Sequence, residues 1–157
     1  MKHTLHQCLY ILSTILITLS ANQAIASNNP DYDPKYAAKL GADQYGMKRY
    51  VMAFLRKGPN RDQPQKQADE LQAAHLDNIN RLANAGKLVL AGPFLDDGDL
   101  RGIYIFDVAS VAEAKALTAT DPAIKAGSLT MELIPWYGSA ALMQITELHY
   151  KAAKTVF

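Results

Sequence analysis

Between Leu71 and Leu82 the positions Leu71, His75, Ile79 and Leu82 recur at steps of four, four and three, the spacing of one face of a helix. Three of the four are aliphatic, so the fourth, His75, is predicted to point inward. Gly86 stands where a left-handed helix end is expected, and Lys87 to Ala91, stopped at once by Gly92-Pro93, is too short for a second helix and reads as a strand. Upstream, Arg49 to Arg56 alternates as Tyr50, Met52, Phe54 against Val51, Ala53, Leu55, a strand that is apolar on both faces. The loop "KGPNRDQ" leads into the helix, with Asp62 or Gln63 as its cap and Pro64 in its first turn.

Downstream, "DDGD" at Asp96 to Asp99 is a turn, and Gly102 to Val108 is a third strand, again apolar on both faces. Ser110 and Glu113 have the spacing of a capping box, so a second helix starts there. It stops at Asp121-Pro122, since proline lacks the donor and restricts the residue before it. Pro122 to Ala126 fits one further turn closed by Gly127, and Leu129 to Ile134 fits a fourth strand, ended by Pro135-Trp136-Tyr137-Gly138. Residues 139–157 are expected to form a short strand and then a helix. The order is βαββαβ, an α+β, ferredoxin-like plan in which both helices lie on one face of an antiparallel sheet. The opposite face is then apolar and uncovered, and a partner sheet is the simplest cover for it.

Residues 1–26 change the composition of what remains. Lys2, the apolar run Cys8 to Leu19 and the small-x-small end Ala24-Ile25-Ala26 together have the form of an export signal, too short and too diluted by Ser13, Thr14 and Thr18 to span a membrane. The protein is therefore expected to be periplasmic or secreted, with no stable membrane anchor. Taking Lys2 from the 16 basic residues leaves 15 against 15 acidic ones, which gives no electrostatic reason to expect nucleic acid as a partner. The single cysteine leaves with the signal, which excludes thiol catalysis and disulfides. Only His75 and His149 remain of the four histidines, too few for a histidine metal cluster, and no patterned calcium loop, phosphate loop or dinucleotide fingerprint is present. No metal and no cofactor is expected. Residues 27–48 form an arm whose helix is capped by Asp33, started by Pro34 and ended by Gly41; the domain proper is 49–137, and 138–157 is a C-terminal extension.

The inward His75, "GKLVLAGP" at Gly86 to Pro93, the glycine-opened third strand, "EAKAL" at Glu113 to Leu117, "DPAIKAG" at Asp121 to Gly127 and the terminal Pro135-Trp136 occur in an order and spacing that resembles the YCII-related family over about residues 49–137. The resemblance implies a homodimeric α+β barrel of ferredoxin-like subunits, with a His–Asp pair in a cleft that maps onto His75 and Asp121. It also implies chemistry of the kind linked to the family, lyase reactions on chlorinated hydroquinones, with isomerases and monooxygenases of small aromatic compounds among its structural cousins.

For each residue there is a plainer reading. His75 is also what a core histidine with a local hydrogen bond looks like, and Asp121 is well placed to cap the turn at Pro122. The two roles of Asp121 are compatible, because one carboxylate oxygen can cap while the other orients the imidazole. Pro93 and Trp136 read as shaping and packing residues and are the candidates for substrate binding. Tyr50, Tyr104 and Phe106 read as core or dimer interface, and His149 as a surface residue. The expected function is proton transfer on a small cyclic or aromatic molecule, by elimination or isomerisation, with a non-catalytic ligand-binding or structural dimeric module as the alternative. The protein from its native host should begin near Ser27 on N-terminal mass analysis; intact Met1 in soluble cytoplasm would rule the signal out.

Overall fold

The structure is a computed structural model that describes residues 29–155, so the signal expected at 1–26 lies outside the described residues. Asn29 to Asp31 belong to a separate unit, a turn in which Asn29 Oδ1 accepts the Asp31 amide, and the main unit begins at Tyr32. There Asp33 caps α1 (Pro34–Leu40) by accepting from the Lys35 and Tyr36 amides, and Gly41, at φ 68°, closes it. The chain continues through β1 (Met47–Lys57), α2 (Gln65–Asn84), β2 (Leu88–Pro93), β3 (Leu100–Phe106), α3 (Val111–Thr118), α4 (Pro122–Lys125), β4 (Leu129–Ser139), a 3-10 turn (Ala140–Gln144) and α5 (Ile145–Ala152). The four strands form one antiparallel sheet in the order β2-β3-β1-β4, the ferredoxin-like arrangement that the βαββαβ order predicts. No helix among the described residues is long and apolar enough to cross a membrane.

The two apolar faces of β1 serve two clusters. Val51, Ala53 and Leu55 join Leu88, Tyr104 and Phe106 beneath Leu82 of α2 and Ala114 of α3, the main core. Tyr50 lies on the opposite face with Val89 and Ile105, and Met52, Leu90 and Trp136 pack around them. A register shift between Leu88 and Leu90 bulges β2, so that the neighbours Val89 and Leu90 both serve this second cluster.

Four local expectations are corrected. The α2 cap is Pro64 itself, extended at ψ 146° and without a side-chain bond, while Gln63 turns back to the Asn60 carbonyl. Glu113 completes its cap on the Ala109 amide rather than on Ser110, whose hydroxyl accepts from Glu113 as expected. The fourth strand does not end at Ile134 but runs through Pro135 to Ser139, which an edge strand permits because a proline's missing donor can face away from its single neighbour. The short strand expected after residue 139 is a 3-10 turn.

That turn bears on the uncovered face. Leu142 and Met143 pack on the second cluster, so the chain's own C-terminal extension covers part of the face that a partner sheet was expected to cover. Tyr50 fastens the arrangement by donating its hydroxyl to the Ser139 carbonyl at 3.1 Å. Phe54 and Ile103, paired across β1 and β3, stay half-buried on the same face, and Ile134 is 41% exposed. Leu142→Ala and Met143→Ala are expected each to destabilise the protein by about 1 to 2 kcal/mol, less than full burial because both side chains keep some exposure. Urea melts measure this, and unchanged midpoints would show that the extension contributes nothing to the face.

Candidate active site

Asp121 is 0% exposed, an unusual place for a carboxylate unless each oxygen has a partner. Both do. Oδ1 accepts the Ala123 amide at 2.8 Å, the cap of α4, and Oδ2 lies 2.8 Å from His75 Nδ1. One oxygen thus caps the turn while the other meets the imidazole. His75 reaches Asp121 because its stripe on α2 faces the break between α3 and α4, and one turn further on Asn78 makes a second tie to that break, accepting from Thr120 Oγ1 at 3.0 Å. Arg81 donates to both Asn78 Oδ1 and Thr120 Oγ1 at 2.7 Å, which closes the joint from outside.

The other imidazole nitrogen, expected to be the free base, is engaged. Tyr104 Oη stands 3.3 Å from His75 Nε2, and the two rings are stacked with centroids 6.2 Å apart. Burial, and secondarily the charge of Asp121, holds the Tyr104 hydroxyl far above its ordinary pKa, so it remains protonated at neutral pH. With Asp121 as the carboxylate, the consistent proton assignment is Nδ1–H donating to Asp121 and Tyr104 O–H donating to Nε2. The sequence reading places Tyr104 in the core or the dimer interface and gives it no part in the site. It is 2% exposed on the helix side of β3, a face that alternation with Gly102 assigns without fixing where the hydroxyl ends.

His75 and Tyr104 line a cleft of about 640 Å³ between α2, the β2 and β3 ends and the start of β4, with Asp121 buried behind them. Its floor is narrow where Gly102 passes β2: a Cβ there would meet the Gly92 carbonyl oxygen at 2.6 Å. Pro93 pairs with Gly102 and lines the same cleft, in keeping with its candidacy. Trp136 does not. It pairs with Tyr50 on the other face of the sheet, ring centroids 5.8 Å apart, and lies over Gly138, so in the monomer it is a packing residue remote from His75. His149 is exposed and borders a second groove, of about 520 Å³, between α2, β2 and α5. Among the described residues no three His, Asp or Glu side chains are grouped as metal ligands.

Residues 51–137, more than half of the chain, match the YCII-related domain. The chain belongs to that family. This YCII-related protein is also similar to a solved structure, the 5-chloro-2-hydroxyhydroquinone dehydrochlorinase of Burkholderia phenoliruptrix AC1100 in complex with 2,5-dihydroxybenzoquinone, at 26% identity over 55% of the present chain and 92% of that one, with a TM-score of 0.42. No curated protein matches it.

Proposed function

We propose that this YCII-related protein is an enzyme of the lyase or isomerase type acting on a small cyclic or aromatic molecule, with His75 as general base and acid and Asp121 as its orienter. The observation that carries this reading is the buried chain Asp121–His75–Tyr104, whose imidazole and phenol both reach a cleft of a size suited to one ring. In the resting site Tyr104 occupies Nε2. A bond of 3.3 Å between oxygen and nitrogen is long, and a substrate oxygen in the cleft offers the phenol a better acceptor.

Once Tyr104 turns to that oxygen, Nε2 is bare and takes a proton from the adjacent ring carbon. With that oxygen a ring carbonyl, as in a keto tautomer, the released pair forms a carbon–carbon double bond and the carbonyl π pair moves onto the oxygen that Tyr104 holds, giving an enolate. From there it either expels a leaving group from the neighbouring carbon or returns to bind the proton at a different carbon, which distinguishes elimination from isomerisation. Asp121 steadies the imidazolium formed in between, and burial keeps that ion pair strong.

Rate and stability separate this reading from a purely structural pair. His75→Gln removes a partner from a buried carboxylate, so it should cost about 3 to 5 kcal/mol of stability whatever the function. If the pair is catalytic, the fraction that remains folded should also be slowed about 10²-fold or more, and Tyr104→Phe should slow turnover with less loss of stability. Chloride release from 5-chloro-2-hydroxyhydroquinone is a convenient first assay. Full activity in folded His75→Gln protein would leave a brace, or a binding module, in place of an enzyme.

We also propose that the protein forms a homodimer across the apolar strip of Phe54, Ile103 and Ile134, the part of the second sheet face that Leu142 and Met143 leave uncovered. The cleft lies on the opposite face of the sheet. Ile134→Lys should therefore shift the protein to monomers in sedimentation while leaving the cleft intact, and a wild-type monomer at micromolar concentration would overturn the dimer.

A further inference from the structure

Two formal charges line the cleft, and both are positive: Arg61, from the loop between β1 and α2, and Arg101, from β3. Arg101 is there because of an irregularity in the sheet. Leu55 pairs with Gly102 and Arg56 with Leu100, which leaves Arg101 as an extra residue on β3. Such bulges re-aim a side chain that strict alternation would send elsewhere, and alternation alone would put Arg101 on the face opposite Tyr104.

The partners of the two guanidinium groups are the second observation. Arg101 Nη1 donates to the carbonyls of Asp96 and Gly98, at 2.9 and 3.4 Å, and Arg61 Nη1 donates to the Ser128 carbonyl at 3.0 Å. Neither forms an ion pair among the described residues, although Arg101 sits beside the acidic turn Asp96 to Asp99. The carboxylate of that turn that does form an ion pair, Asp99, goes instead to Arg56, which also holds Glu132. Asp121, buried behind His75, is sealed and already engaged by His75 and Ala123. Both arginines are thus held in place by neutral acceptors with their charge left uncompensated.

We propose that the cleft selects an anionic ring compound, its negative oxygen a phenolate or carboxylate, with Arg101 and Arg61 as the residues that bind it. A guanidinium presents several donors in one plane and pairs with such an oxygen by charge-assisted hydrogen bonds. The same two charges favour the anion that forms when a proton leaves the ring, so substrate selection and stabilisation of the reacting state draw on one feature. This inference rests on the site assigned above but not on turnover in it.

The test is a calorimetric titration with 4-hydroxybenzoate and its neutral counterpart 4-hydroxybenzamide. Wild-type protein should bind the acid about tenfold or more tightly than the amide, the scale of one charged hydrogen bond, and added salt should narrow the difference. Arg101→Gln and Arg61→Gln should each weaken binding of the acid more than binding of the amide and so reduce the preference, while Arg101→Lys, which keeps the charge, should retain part of it. Equal binding of the two probes, failure of both to bind, or a preference that survives the double Arg61→Gln and Arg101→Gln variant would overturn the proposal. A preference for the acid that persists in His75→Gln without turnover in wild type would remove the catalytic reading alone.

Discussion

A carboxylate with no exposure is the constraint around which this protein is arranged. Asp121 can be buried only because its two oxygens meet the Ala123 amide and His75 Nδ1, and an ion left without either would cost several kcal/mol. The bond to His75 joins residues 46 positions apart and holds α2 against the break between α3 and α4. The same contact orients an imidazole at the edge of a cleft.

The sheet divides the molecule's tasks between its faces. On one, helices cover Val51, Ala53, Leu55 and Phe106, and toward the end of that cover, where β2 and β3 run past Gly102, the cleft opens on Tyr104 and His75. On the other, Tyr50, Ile105 and Trp136 are covered in part by Leu142 and Met143 from the extension. Two bulges make the division work. The one in β2 supplies Val89 and Leu90 to the second cluster, and the one in β3 gives Arg101 to the cleft.

How legible the site was differs residue by residue. The steps of four around His75 place it inward and an aspartate before a proline reads as a cap, but the pairing of the two came only from the resemblance to the YCII-related family. Tyr104 escaped notice because alternation assigns a side chain to a face and says nothing of where its hydroxyl ends. Trp136 packs on Tyr50, as its packing reading has it, and its absence from the cleft lining was hidden from the sequence for a related reason. Taking Pro135 as the end of β4 removed the parity that puts residue 136 with Tyr50 on the far face, and only the edge position of β4 makes a proline acceptable in mid-strand.

Sequence by itself determined the element order, the inward histidine, the capped break at Asp121 and the two-sided apolar strands, because each follows from local periodicity or local backbone restriction. The meeting of Tyr104 with Nε2, the diversion of Arg101 into the cleft and the folding back of Leu142 and Met143 were decided by tertiary structure alone. Each depends on register, on which strand lies at an edge, or on contact between segments dozens of residues apart, and none of these leaves a periodic mark in the chain.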